Sequence, residues 1–351
     1  VTGANRKTFD GSENQRSSGT GGFQFWAETT VPILHNLNTL QGREALGLTE
    51  EVLFENTSFV QFHSRNGDDA SCLNLNQVQQ PQILGVDAVL FDSLGAFSFA
   101  TQMEESDHPW LSLMENSKER IIPAIADQTV IQWGLIKKIG DTLTYFNEAG
   151  KPLKLVLVAG LNASVFQGNL LISEEAFMEH FPSAAGSKYM MIGCGEVQAE
   201  DLKQVLNNDL SDYGMVITAA PVRLANFYSV TNTYLSIFMI LGGLGVIIGT
   251  IGLGIVLLRN MLERRQELDL LKAIGYDKKQ ILNLVLLENM ALLILGIFIG
   301  LVSALIGILP SLISPAFHIP SNFLIVLVLG VFVSGLFWII VGAWRLVFGR
   351  G

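Results

Sequence analysis

Apolar and polar positions divide this chain sharply. Three long uncharged apolar runs occupy its last third, at residues 235–258, 290–309 and 323–344. A run of 24 residues makes a helix about 36 Å long, enough to cross a hydrocarbon core of about 30 Å. The second run is extended at its front by Ile281 to Asn289, so its span is expected at 284–309. Between the first two runs lies a charged hinge, RNMLERRQELDLLKAIGYDKKQI, at residues 259–281. Before residue 235 the pattern is that of a water-exposed domain with short elements.

Taken in order, residues 1–20 carry no apolar period and suit an entry segment. A short helix is expected over residues 30–40 with Pro32 in its first turn, and strands over 52–64, 72–75 and 86–91. A strand follows at 120–125, with Asp127 as a plausible cap for a short helix through Trp133. Runs 141–146 and 152–159 are joined by a Gly-containing turn, as in a hairpin. Residues 169–172 suit a strand, and Ser173 a cap for a helix through His180. Strands at 189–192 and 215–219 flank a helix at 199–210, where Leu202, Val205, Leu206 and Leu210 recur at helical spacing. Residues 1–230 are therefore expected to be an α+β domain, with no repeat and no parallel βαβ rhythm; residues 231–351 are expected to be the membrane part.

Charge follows the same boundary. Before Leu235 there are 14 Lys and Arg against 27 Asp and Glu; from Leu235 onward there are 8 and 5. So acidic a domain repels phosphate and is not expected to bind nucleic acid. The hinge carries Arg259, Arg264, Arg265, Lys272, Lys278 and Lys279, residues 310–322 carry no Lys or Arg, and the tail has Arg345 and Arg350. The positive-inside rule puts hinge and tail in the cytoplasm, and residues 1–230 outside it. With that orientation, a signal or a further span is expected before Val1, and the sequence is expected to be a fragment of a longer protein.

The hinge has the pattern of a short helix. Leu268, Leu271 and Ala273-Ile274 would form its apolar flank, with Arg264, Glu267 and Lys272 on the polar side. Gly275 is a good left-handed stop, and Asp277-Lys-Lys-Gln280 resembles a capping box for the next helix. A plain solvated loop is the competing reading. Glu288, inside the second helix, is either functional, as ionisable groups at a span margin are by default, or structural, snorkelling or paired with Arg264 or Arg265. Gly245 with Gly249, and Gly296 with Gly300, recur at helix-packing spacing, though glycine is common in membrane helices anyway. The run GGLGVIIG lacks the strand and the Lys-Ser/Thr of a nucleotide loop.

The soluble half offers no catalytic set. The five His show no metal spacing, and neither GxSxG nor GxxxxGK[ST] occurs. No cofactor is expected and no ATPase of its own. Cys72 and Cys194 could form a disulfide in an oxidising compartment, or stand as two separate thiols.

Residues 232–289, NTYLSIFMILGGLGVIIGTIGLGIVLLRNMLERRQELDLLKAIGYDKKQILNLVLLEN, resemble the membrane core of FtsX-like ABC transporter permeases of the MacB and LolC/LolE kind. ERRQELDLLKAIGY and the later Glu288 carry the likeness. IPAIADQTVIQWGLIKKIGDTLTY and FQGNLLISEEAFMEHFP more weakly resemble the MacB-type periplasmic domain that such permeases insert. The resemblance implies a four-helix membrane unit whose first helix precedes Val1, in a bacterial plasma membrane. It implies a partner ABC ATPase, a homodimer or paired permease half, surrounding lipid, and a possible periplasmic adaptor or lipoprotein. Glu263, Arg264, Arg265, Glu267, Leu268, Leu271, Ala273 and Gly275 would then form an ATPase-coupling helix, with Glu288 supporting it. Motion rather than passage of substrate would be transmitted outward. A non-transporting scaffold that activates a cell-wall hydrolase is the alternative.

Overall fold

A computed structural model describes residues 15–48, 50–67, 80–115, 121–312 and 321–348. It divides into two compact units, one ending at Val230 and one that takes up Thr231 onward.

In the first unit, ten strands among the described residues form one mixed sheet. They are β1 Phe25–Ile33, β2 Ser58–Arg65, β3 Gln82–Val86, β4 Phe99–Gln102, β5 Ile121–Asp127, β6 Thr142–Phe146, β7 Pro152–Leu161, β8 Asn169–Ser173, β9 Ser187–Gly193 and β10 Val216–Ala219. Their order is β10-β1-β9-β2-β3-β8-β5-β7-β4, with β6 also on β7. Most pairs are antiparallel, but β3 runs parallel to β8 and β5 parallel to β7. No βαβ rhythm in the sequence signals these two parallel pairs, because the partners are joined through other strands.

Neighbouring residues on one strand enter different cores. Trp26, Leu84, Ile125 and Leu171 face an aromatic core with Phe62, Phe91, Trp110 and Phe166. Ile83, Ala124, Leu170 and Ile172 face a second core, with Phe177 and Phe181. Phe25, Ala27, Phe59 and Ile192 face a third. Strands buried on both sides become continuous apolar runs, as in Asn169–Ser173, where every residue is buried.

Among the described residues, five short α-helices precede the last strand of this unit: α1 Leu40–Glu44, α2 Glu51–Phe54, α3 Ala88–Leu94, α4 Glu174–His180 and α5 Ala199–Asp209. Three expectations are corrected here. Residues 30–33 belong to β1, where Thr29, Thr30 and Val31 favour an extended backbone, and the helix begins only at Leu40. The strand expected from residue 52 starts at Ser58, because Glu51–Phe54 is helical. The strand expected over 86–91 ends at Val86: Asp87 accepts a hydrogen bond from the Leu90 N–H at 2.9 Å and caps α3 instead. β4 was not anticipated. The expected strand at 72–75 lies outside the described residues.

Helix α6, Ala220–Glu263, is 44 residues long and begins within the first unit. Ala220, Leu224, Phe227 and Tyr228 join the aromatic core. Arg223 fastens this start: its guanidinium lies 4.3 Å from the Trp26 ring centroid and 2.6 Å from Glu28 Oε1. Trp26 Nε1 donates to the same Glu28 oxygen at 2.8 Å.

The second unit contains the rest of α6, then α7 Arg265–Ala273, α8 Lys278–Leu312 and α9 Ser321–Phe348. Among the described residues, three stretches are long and apolar enough to cross a membrane: Asn232–Val256, Lys278–Gly307 and Ile325–Trp344. Close helix packing uses glycines other than those expected. A Cβ at Gly254 would lie 2.6 Å from the Trp338 ring, and one at Gly335 2.6 Å from Leu293. Gly245, Gly249, Gly296 and Gly300 meet nothing within 4 Å, so they do not pack this chain's described helices together.

Candidate functional site

The charged hinge folds as a helix held between two turns. α6 ends at Glu263, whose Oε1 accepts from Arg259 Nε at 2.8 Å one turn earlier. Arg264 leaves helical geometry, at φ −85° and ψ 4°, and α7 starts at Arg265. At its other end Gly275 has φ 105°, a conformation that an L side chain rarely adopts. The Gly275 N–H donates to Lys272 O and the Tyr276 N–H to Leu271 O, both at 3.1 Å. These two bonds make the Schellman motif, which satisfies carbonyls that a helix end leaves open. The next helix is capped in turn: the Asp277 N–H donates to Gln280 Oε1 at 3.0 Å, the returning half of a capping box.

Arg264 binds this hinge to the second span. Its Nη1 donates to both Glu288 oxygens at 2.6 Å, and its Nε to Glu267 Oε2 at 3.3 Å. Arg264 is one of the two arginines considered for Glu288. A small cavity of about 60 Å³ lies beside this pair, with Glu267 and Asn289 also on its walls.

The apolar residues of α7 divide between two faces. Leu268 is buried and Leu271 half-buried against Ile281 and Val285 of α8 and Ala343 of α9. Leu270 and Ile274, four residues apart, point the other way and are 63% and 69% exposed; Tyr276 beyond the stop is 50% exposed. The expected single flank is therefore corrected: Ala273 and Ile274 belong to the open face, not to the one with Leu268 and Leu271. At 100° per residue, position 273 lies about 140° and 160° round the helix from 268 and 271, and position 274, just past the helix end, lies about 120° from 268 though only about 60° from 271. Lys272 pairs with Asp269 at 3.0 Å on the exposed side.

Two polar contacts in the first unit go beyond the sequence reading, which gave Asp127 only as a cap for the turn that follows it. Asp127 is fully buried; Oδ1 accepts from Thr129 N at 2.9 Å and Thr129 Oγ1 at 2.6 Å. Oδ2 accepts from Ser164 N at 2.6 Å and Ser164 Oγ at 3.0 Å. Burial pushes this carboxyl up and the four donated bonds oppose it. Asp127 thus ties β5 to the loop after β7, and the turn it starts is a π-helix over Val130–Gly134. The Asp-x-Thr spacing is the one local signal of it. The second site is an ion pair between His63 and Glu174, 3.3 Å apart. Cys194 is a buried thiol with no disulfide among the described residues, and burial raises its pKa; Cys72 lies outside the described residues. No group of His, Cys, Asp and Glu among the described residues could hold a metal ion.

With this geometry in place, similarity to known proteins is informative. Residues 239–349 match the family of FtsX-like permease C-terminal domains. Over 141 residues the chain is 31% identical to the ABC transporter permease YtrF of Bacillus subtilis (strain 168), covering 38% of this chain and 31% of that protein. Over 115 residues it is 28% identical to the uncharacterized ABC transporter permease MJ1507 of Methanocaldococcus jannaschii, covering 32% and 28%. The matches thus span less than a third of either relative's length. Among solved structures, the periplasmic region of MacB from Actinobacillus actinomycetemcomitans aligns with TM-score 0.33 at 9% identity, covering 58% of this chain and 92% of that one. The extracellular domain of the noncanonic ABC-type transporter YknZ from Gram-positive bacteria aligns with TM-score 0.27 at 8% identity, covering 56% and 98%. The hinge and the spans around it thus lie within a region that matches the FtsX-like permease C-terminal domain, the chain is similar to ABC transporter permeases, and three of its described helices are long and apolar enough to cross a membrane.

Proposed function

We propose that this chain is the permease subunit of an ABC-type transporter in a bacterial plasma membrane. It couples ATP hydrolysis on a partner ATPase to movement of its first unit, which lies outside the cytoplasm. The observation that carries this is the open face of α7. Leu270, Ile274 and Tyr276 are exposed on a helix otherwise fixed at both ends and braced from behind by Leu268, Leu271 and the Arg264–Glu288 pair. An unpartnered apolar face on a rigid mount suits a docking contact better than a connector.

The orientation is supported by the cations of the hinge and tail and their absence from residues 310–322. In this reading Glu263, Arg264, Arg265, Glu267, Leu268, Leu271, Ala273 and Gly275 form the coupling helix and its mount. The open rows at Gly245, Gly249, Gly296 and Gly300 suit close approach by a helix of a partner permease half. ATP-driven motion passes as a two-state rearrangement of the helices, with α6 as the rod, since its start is packed into the core of the first unit.

The test is reconstitution in lipid nanodiscs with the ABC ATPase that co-purifies with the chain. Leu270→Asp combined with Ile274→Asp should abolish co-purification and the permease-dependent change in ATPase rate. Unaltered stimulation by this variant would overturn the assignment of α7.

A further inference from the structure

His63 lies on β2, opposite Gly85 of β3. Gly85 leaves room there: a Cβ on it would come within 2.8 Å of the Phe177 side chain. Phe177 of α4 fills that space, and the His63 ring stacks on it at 6.0 Å between centroids and 22° between planes. Both ring nitrogens then meet acceptors. Nδ1 is 3.1 Å from the Gly186 carbonyl, and Nε2 is 3.3 Å from Glu174 Oε1. A neutral imidazole has one N–H, so only the imidazolium satisfies both contacts. Three separate pieces of chain, β2, α4 and the turn before β9, are joined through this one ring.

The ring and Glu174 also form the wall of a cleft of about 300 Å³, shared with Gln61, Asp87 and Gly186. The charged groups around it come from every neighbouring element. Glu175 follows Glu174 on α4, and Asp87 follows β3 as the cap of α3. Arg65 lies two residues on along β2, Lys188 is on β9, and His35 follows β1. Of these, Asp87, Glu174 and His35 line the cleft itself, Glu175 lines a neighbouring pocket, and Arg65 and Lys188 line another that shares Gly186.

We propose that His63 is a proton-operated latch in the first unit: charged, it ties α4 and the Gly186 turn to β2, and neutral, it releases Glu174 into the cleft. On loss of the proton, the Nδ1–H stays on the Gly186 carbonyl, which is fixed in the backbone and nearer. Nε2 then presents a lone pair to the Glu174 carboxylate, which turns away to water. The cleft loses one positive charge and α4 loses its tie. The neighbouring carboxylate raises the His63 pKa through its hydrogen bond, so the latch works above the ordinary value of 6.5. This device is independent of ATPase coupling, and an extracytoplasmic face is where pH varies.

Hydrogen exchange read by mass spectrometry on the full chain in nanodiscs tests it, with intrinsic exchange rates corrected for pH. Between about pH 5.5 and pH 8.5, residues 174–187 should lose about threefold or more of their protection. His63→Gln should remove that dependence, since its amide does not titrate. Glu174→Gln should move the midpoint downward, because the charged partner is gone. Equal protection at both pH values, a pH response that persists in His63→Gln, or a midpoint unmoved in Glu174→Gln would each sink the proposal.

Discussion

Arg264 and Glu288, 24 residues apart in the chain, are joined by two hydrogen bonds of 2.6 Å from a single guanidinium nitrogen. The pair sets the angle between hinge and second span. Both side chains are nearly half exposed, so a double-mutant cycle should give a coupling on the order of 1 kcal/mol in stability. Its effect on transmission should be larger. Glu288→Gln and Arg264→Glu should each cut permease-dependent ATPase stimulation severalfold, and the reversed pair Arg264→Glu with Glu288→Arg should recover part of it. No recovery would mean that the side chains matter for something other than each other.

Gly275 has the backbone that α7 needs to stop. Ala at φ 105° is strained, so Gly275→Ala should cost about 1–2 kcal/mol locally. Gly275→Pro also deletes the N–H that reaches Lys272 O. Hydrogen exchange should show residues 265–276 opening progressively from wild type to Ala to Pro, with residues 216–219 unaffected.

Asp127 accepts four hydrogen bonds while fully buried. Asp127→Ala strands the donors of Thr129 and Ser164 and should lower the unfolding free energy by about 2–4 kcal/mol; Asp127→Asn, which keeps one acceptor oxygen, should lose less. Thermal melts of the detergent-solubilised chain measure both.

The His63–Glu174 pair carries a pH signature. His63 is raised above its ordinary 6.5, so its contribution is complete below that value and is lost as pH rises through the raised pKa. Glu174 is lowered below its ordinary 4.5 by the His63 hydrogen bond, so its contribution is complete above that value and is lost as pH falls through the lowered one. Between 4.5 and 6.5 both are present. The stability difference between wild type and Glu174→Gln, taken from denaturant melts, should peak in that window and shrink on either side. A flat difference would show that the pair is not ionic.

The glycines of the spans should separate by substitution. Gly335→Leu and Gly254→Leu place side chains where Leu293 and the Trp338 ring already stand, and should destabilise the bundle by about 1–3 kcal/mol. Gly249→Leu meets nothing in this chain and should leave its folding intact. If Gly249→Leu nonetheless abolishes activity in a folded protein, that row serves a neighbouring helix.

Local signals carried much of this fold. The three spans needed only length and the absence of charge, because lipid tolerates little else. The Gly275 stop and the Gln280 cap were legible because each depends on a residue type at a fixed offset. The hairpin of β6 and β7 and the Ser173 cap were legible for the same reason. The start of β2 and the end of β3 were missed because apolar runs such as those near Val52 and Val86 suit either helix or buried strand.

What the sequence determined alone was therefore whatever rests on short-range rules: the long apolar helices, the hinge helix and its ends. What only tertiary structure decided was which distant groups meet. It set Arg264 against Glu288, divided the apolar residues of α7 between a packed and an open face, and moved close packing from Gly249 to Gly254. It also brought His63 to Glu174 and Asp127 to Ser164. Helix periodicity gives the spacing of a face, but its direction is set by the surfaces that surround it, and those come together only when the chain folds.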